Sequence, residues 1–199
     1  MLRHILGSVV VLLSPVSPCS LSKLLRLQEK DVDQTLKDLY TILDIPEDSS
    51  RPLRLHHPSF RDFLLNKDRC GKHFYMDERQ AHQTLADDCI RLISNSLKQD
   101  VCGQEAPGTF IANIESSRIE QCLPPEAEYA CLYWIQHLQK SSAQLYDNDQ
   151  VYQFLQVHLL RWFKALGWMR KTSEGILATL SLEAQISVSL ICSYQILTN

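Results

Sequence analysis

Nothing in this sequence is arranged to wrap a nucleic-acid backbone. Its 20 lysines and arginines are outnumbered by 23 aspartates and glutamates, leaving a formal charge of −3 and a pI near 6.1, whereas phosphate recognition calls for a basic face. There is no C-x-x-C pair, and the seven cysteines (19, 70, 89, 102, 122, 131 and 192) are scattered and odd in number. That argues against a zinc knuckle or a complete disulfide framework and favours a reducing compartment. No Asn-x-Ser/Thr sequon occurs, which fits a chain outside the secretory route. No Ser-His-Asp or Cys-His arrangement, paired carboxylate motif or His-Glu-x-x-His is present, so no enzyme is expected from this chain alone.

Long apolar runs are also missing. The longest candidate, Ile5 to Leu13, is too short to span a bilayer, so no membrane partner is expected. With Arg3 and His4 before it and Ser, Pro and Cys after it, this run mimics the regions of a signal peptide. It serves equally as the buried first helix of a domain, and a cytoplasmic location is the expectation.

What is present is enough for a core: 199 residues, 45% hydrophobic and 22% charged. Residues 2–13 read as a buried helix stopped by Ser14-Pro15, because proline disfavours helix in the residue before it. Ser20 is the expected cap of a short helix, Leu21 to Leu27. A third helix is expected from Glu29 to about Ile42, with Val32, Leu36, Leu39 and Tyr40 on one face. Leu43-Asp-Ile45 and Leu53-Arg-Leu55 then read as a hairpin around a turn-forming Pro-Glu-Asp-Ser-Ser-Arg-Pro stretch. Three helices followed by a hairpin is the order of a winged helix.

Pro58 sits where a first helical position tolerates a missing N–H. His57 is therefore the cap-like residue of a helix carrying Phe60, Phe63 and Leu64. A loop at Asn66 to Lys72 and a strand at Phe74-Tyr-Met76 are expected next, then a helix from Asp77 to about Gln99 with Ala81, Leu85, Cys89, Leu92 and Ile93 at helical spacing. Residues 100–123, broken by Gly103, Pro107 and Gly108, read as an interhelix linker with a short helix near 110–115. Pro124-Pro125 opens a strongly apolar helix to Lys140, and Asp149 caps another to Leu166 ended by Gly167. Ser173-Glu-Gly begins one more helix, to about Gln185. The apolar residues after it lack a partner, which reads as truncation of a longer helical array.

Four features invite chemistry. The third helix carries Glu29, Asp31, Asp33 and Asp38 against Lys30 and Lys37; as a recognition helix it would be repelled by phosphates, which disfavours a DNA-binding winged helix. Gly103-Gln-Glu-Ala-Pro-Gly108-Thr109 has the glycine spacing of a phosphate loop but lacks its lysine, and Pro107 removes an amide donor. The tryptophans 134, 162 and 168, with Tyr129, Tyr133, Tyr152 and Phe163, fall within apolar helical faces and read as core. His56 and His57 would point to opposite faces of a strand and cannot share one metal, so no metal site is expected. The plain reading of either is a hydrogen-bonded residue at a strand–helix junction. Beside a helix start, however, anions are favoured and histidine changes charge near neutral pH.

Residues 3–65, from Arg-His-Ile-Leu-Gly-Ser to Leu-His-His-Pro-Ser-Phe-Arg-Asp-Phe-Leu-Leu, resemble the winged-helix region that follows the NACHT domain of fungal signalling NTPases. Asp77-Glu-Arg-Gln-Ala-His, Leu97-Lys-Gln-Asp, Glu128-Tyr-Ala-Cys-Leu-Tyr-Trp-Ile-Gln-His-Leu and Leu166-Gly-Trp-Met resemble the helical region after it. The likeness is nearest to NACHT proteins carrying WD40 repeats, the group of heterokaryon-incompatibility receptors and related innate-immunity-like signal transducers of the STAND class. It implies a mainly α chain: a winged helix of three helices and a small hairpin at 1–76, and a helical linker or array at 77–199.

It also implies a regulatory role, stabilising an ADP-bound resting state and relaying it to a C-terminal sensor. The phosphate loop, the Mg²⁺-binding acidic motif and the WD40 pattern are not in this sequence, so ADP or ATP would enter only with a NACHT domain supplied in cis or trans. One residue carries over. In animal relatives a winged-helix histidine, followed by one residue and then Ser-Phe, contacts the ADP phosphate, and His57-Pro58-Ser59-Phe60 matches that pattern. Two alternatives remain open: a standalone truncated adaptor that binds a full-length receptor, and a nucleic-acid-binding winged helix.

Overall fold

The computed structural model describes residues 1–97, 121–143, 145 and 149–197, with side chains described to residue 184. The glycine-spaced loop at 103–109 and the short helix expected near 110–115 lie outside these residues.

The chain is mainly helical. Helix α1 (Leu2–Val11) buries every residue from Ile5 to Val11 and gives way to extended backbone at Leu12, just ahead of Ser14-Pro15. Helix α2 (Pro18–Leu25) starts three residues earlier than expected. Ser17, not Ser20, is its cap, accepting the Ser20 N–H at 3.1 Å, and Pro18 fills the first helical position. Ser-Pro combines a good cap with a residue whose fixed φ suits the first turn, and this outcompetes a later serine.

Helix α3 (Glu29–Lys37) stops short of Ile42. Residues 38–42 form tight turns in which Leu39 bonds back to Leu36 and Ile42 to Leu39. The shorter spacing swings Tyr40 out of the apolar face and leaves it 69% exposed.

Strands β1 (Leu43–Asp44) and β2 (Arg54–Leu55) pair antiparallel with Leu43 opposite Leu55. Their connection is stiffened by Asp48, whose carboxylate accepts from the Ser50 amide and hydroxyl, and is tied back by Leu53 N–H to the Val16 carbonyl. Helix α4 (Ser59–Leu64) follows, then α5 (Lys67–Phe74). The loop expected at 66–72 is replaced by α5, and the strand expected at 74–76 does not form: Phe74 ends α5, and Tyr75 and Met76 lie in neither helix nor strand. The Asn66 side chain accepts from the Asp68 and Arg69 amides, and Gly71, at φ 67°, kinks the helix in a conformation other residues avoid.

Helix α6 (Glu78–Ser96) opens on Asp77, which accepts the Gln80 N–H at 3.0 Å, and α8 (Gln150–Trp168) opens on Asp149, which accepts the Tyr152 N–H at 2.8 Å. Between them α7 (Pro125–Ser141) begins at the second proline. Gly167 lies inside α8. The left-handed residue that breaks the helical path is Arg170, φ 57°, and α9 (Thr172–Leu197) follows.

Among the described residues the larger core of buried side chains runs from Ile5 of α1 through α6 and α7 to Leu182 of α9. At its centre Trp134 and Trp162 meet edge to face at 5.6 Å, and the Trp162 indole donates to the Cys131 carbonyl at 2.9 Å. A smaller cluster, Leu6, Val10, Leu64 and Met76, seats α4 on α1. The α8–α9 crossing depends on Gly175: a Cβ there would lie 2.3 Å from Leu166 Cδ1. Cys19, Cys70, Cys89 and Cys131 are free, whereas Cys122 is disulfide-bonded, a departure from the wholly reduced set expected.

Candidate functional site

His57 stands at the exit of β2, on the solvent side of α4. The junction is held from both directions. Upstream, the His56 amide donates to the Ile42 carbonyl at 3.1 Å, and the His56 ring meets the Tyr40 carbonyl at 3.3 Å. Downstream, Phe60 and Phe63 pack on the small α1 cluster, Leu64 is buried, and Arg61 pairs with Glu78 of α6 at 3.1 Å. His56 and His57 therefore have separate partners, as adjacent residues on an extended segment should. Among the described residues no group of three or more His, Cys, Asp or Glu side chains is placed to hold a metal.

The hydrogen bonds of His57 settle its tautomer. The Ser59 backbone N–H can only donate, and it donates to Nδ1 at 3.1 Å; the Ser59 hydroxyl lies 2.7 Å from the same nitrogen. Nδ1 is therefore the acceptor, and in the neutral ring the proton sits on Nε2. His57 caps the start of α4 with its ring in place of an oxygen and presents Nε2–H outward from an exposed side chain. The helix starts one residue later than expected: Pro58 is the N-cap and Ser59 the first helical residue. The ring nevertheless performs the capping task expected of it.

A second constellation, unforeseen from the sequence, lies in the interior between α1, α6 and α7. The Leu13 amide donates to the Tyr129 hydroxyl at 3.2 Å, Tyr129 Oη is 2.8 Å from His137 Nε2, and His137 Nδ1 is 2.8 Å from His82 Nδ1. Both imidazoles are fully buried. His82 Nε2 has no hydrogen-bond partner in the structure, with Glu78 Oε1 at 3.9 Å. Burial pushes His82 down to about 4 and His137 down to about 3, and raises the Tyr129 hydroxyl well above its ordinary value. All three groups are neutral at physiological pH. Their neighbours in sequence give no signal, because His82 lies between Ala81 and Leu85 on what reads as a plain apolar face.

Two further polar links join the first helices to α6 and α7. Asp88, buried on α6, is 3.3 Å from His4 Nε2 and paired with Arg91. Glu126, buried at the start of α7, accepts the Ser20 hydroxyl at 3.1 Å and pairs with Lys23 at 2.9 Å. A groove of about 550 Å³ opens between α1 and α6, lined by Arg3, Gly7, Asp77 and Ala81 among others; His57 does not line it.

No helix among the described residues is long and apolar enough to cross a membrane. No family model matches the chain, and no solved structure does. The chain is similar to the vegetative incompatibility protein HET-E-1 of Podospora anserina, with 32% identity over 104 residues. The match covers 48% of this chain and 7% of that much longer protein. A likeness of that strength and extent supports a link at the level of the family the sequence motifs pointed to, the fungal incompatibility proteins.

Proposed function

We propose that residues 1–76 form a winged helix and that the chain is the regulatory segment following the NACHT domain of a signalling NTPase. In this reading it holds the nucleotide domain in its ADP-bound state and passes the change of state on to a sensor region. The observation that carries the reading is the 32% identical match to an incompatibility protein, together with the helix, helix, helix, hairpin order of the first 55 residues.

The geometry at His57 suits the role the motif implies. With Nδ1 engaged by Ser59, the outward Nε2–H is a single donor at a fixed position, suited to a phosphate oxygen of ADP held by the neighbouring domain. The bond would form only in the closed state, and nucleotide exchange would release it.

The test is reconstitution with a NACHT domain of the same family, measuring the dissociation rate of labelled ADP. His57→Ala should speed ADP release by about tenfold, the value of one charge-assisted hydrogen bond. Ser59→Ala, which removes the hydroxyl beside Nδ1 but keeps the amide bond, should give a smaller increase. Equal retention by the parent and His57→Ala would remove His57 from the mechanism. Absence of any contact with the NACHT domain would remove the regulatory reading itself.

A further inference from the structure

The groove of about 550 Å³ between α1 and α6 has the size of a small-molecule cleft, and its lining mixes polar and apolar groups. Two of the polar side chains are already engaged. The His4 ring meets buried Asp88 at 3.3 Å, and the Thr84 hydroxyl donates to the Gln80 carbonyl at 3.0 Å. Ser8 is not engaged: it is 2% exposed, and among the described residues its hydroxyl has no hydrogen-bond partner. A helical hydroxyl can bond back to the carbonyl four residues earlier, as those of Thr84 and Ser94 do; that of Ser8 does not, and Ser8 lines the groove. Its oxygen is not sealed off as the unpaired nitrogens of Trp134 and His82 are, so a molecule in the groove can reach it. An enclosed hydroxyl left without a partner is costly, and a ligand removes that cost.

Two opposite charges line the same groove without pairing. Arg3 donates to the Lys72 carbonyl at 3.4 Å and to the Tyr75 carbonyl at 3.0 Å, and Asp77, the cap of α6, accepts the Gln80 amide at 3.0 Å. Among the described residues neither has an ion-pair partner. Contacts to the backbone thus steady a guanidinium and a carboxylate, each with hydrogen-bonding capacity left over. A simple anion would be opposed by Asp77 and a simple cation by Arg3. The ligand that suits both carries both charges.

The apolar part of the lining leaves space for a side chain. Gly7 lies inside α1, where alanine is the better helix former. Nothing in the packing demands glycine there, because a Cβ would meet Met76 Sδ at 3.8 Å and Ala81 Cβ at 3.9 Å, both ordinary contacts. What its missing side chain provides is room beside Met76 and Tyr75, a sulfur and a ring that suit a flat aromatic guest. We propose that the groove binds a free aromatic α-amino acid. Its carboxylate pairs with Arg3 and its ammonium with Asp77, its ring lies against Gly7, Ala81 and Met76, and the Ser8 hydroxyl takes the hydrogen bond that the fold leaves open. His57 has no part in this site, so the proposal is independent of the nucleotide reading.

The experiment titrates the ¹⁵N-labelled chain with L-phenylalanine and follows the amide signals of Gly7, Ser8, Ala81 and Thr84, which should move together and saturate below about 10 mM ligand. Two analogues keep the ring and remove one charge each. N-acetyl-L-phenylalanine stands also for the last residue of a peptide, and L-phenylalaninamide for the first; each should bind at least about fivefold more weakly than the free amino acid. Arg3→Gln should weaken L-phenylalanine by a similar factor and leave the amide analogue unchanged. Asp77→Asn, which keeps a capping side chain, should weaken L-phenylalanine and leave the acetyl analogue unchanged. Ser8→Ala should weaken all three by about threefold. No saturable shift, shifts away from the groove, an analogue that binds as well as L-phenylalanine, a charge variant that weakens all three ligands alike, or unchanged binding by Ser8→Ala would each overturn the proposal. If a variant does not fold, the three ligands on the parent chain decide alone.

Discussion

The two histidine settings in this molecule differ in nearly everything that decides what an imidazole does. His57 is exposed and held by a residue two positions away. His137 is fully buried and bonded to residues eight and 55 positions away. The first ring is anchored by local geometry, through Nδ1 and Ser59. The second has spent both nitrogens on the interior, so its chemistry is turned inward. An exposed histidine at a junction and one committed to the interior are thus separated less by their ring than by where their partners lie along the chain.

That contrast can be broken most forcefully at His137. Replacing it with alanine removes a packed ring and strands both Tyr129 and His82, and should cost about 3–5 kcal/mol in urea unfolding. The next largest effect should come from pH. Because the folded values of His82 and His137 lie near 4 and 3 against an ordinary 6.5, the unfolded chain takes up protons first. Their contribution is fully present above about pH 6.5 and is lost as pH falls toward the folded values. Between pH 7 and 5 stability should drop by roughly 2–4 kcal/mol, read as a falling denaturation midpoint. A rise over this interval would contradict the buried neutral pair.

Smaller is the expected cost of Lys23→Met. It leaves Glu126 buried with Ser20 as its remaining partner of the two, but Lys23 itself is half in water, so about 1–2 kcal/mol is expected. Smallest is His57→Ala, which should move the unfolding midpoint by no more than an ordinary surface change, within about 0.5 kcal/mol. A cost for His57 comparable to that for His137 would erase the distinction between the two settings.

The same locality explains which features are legible in the amino-acid sequence. Asp149 caps the helix it is expected to cap, Asp77 opens the one it is expected to start, and Leu43 and Leu55 face each other in the hairpin, because each depends on residues within a turn or across a short connection. The capping role of His57 belongs to this class. Helix α5 escapes a reading by periodicity because its residues are almost all polar and a glycine interrupts them, so no apolar face announces it; its cap, Asn66, decides the matter. At α2 two serines compete, and the proline beside Ser17 settles which one wins. The buried relay is beyond reach for a different reason. Leu13 and Tyr129 are 116 residues apart and His82 and His137 are 55 apart, and nothing in the sequence around either histidine marks it as polar among apolar neighbours.

Helix α1 is fastened near both ends, by His4 to Asp88 at one and by Leu13 to Tyr129 at the other. A rod held by a single pin can swing about it. A rod held by two cannot, and must either stay or come away whole. Over the roughly 15 Å between these fastenings, α1 is held against the α6–α7 pair at two points, so any swing about one of them breaks the other.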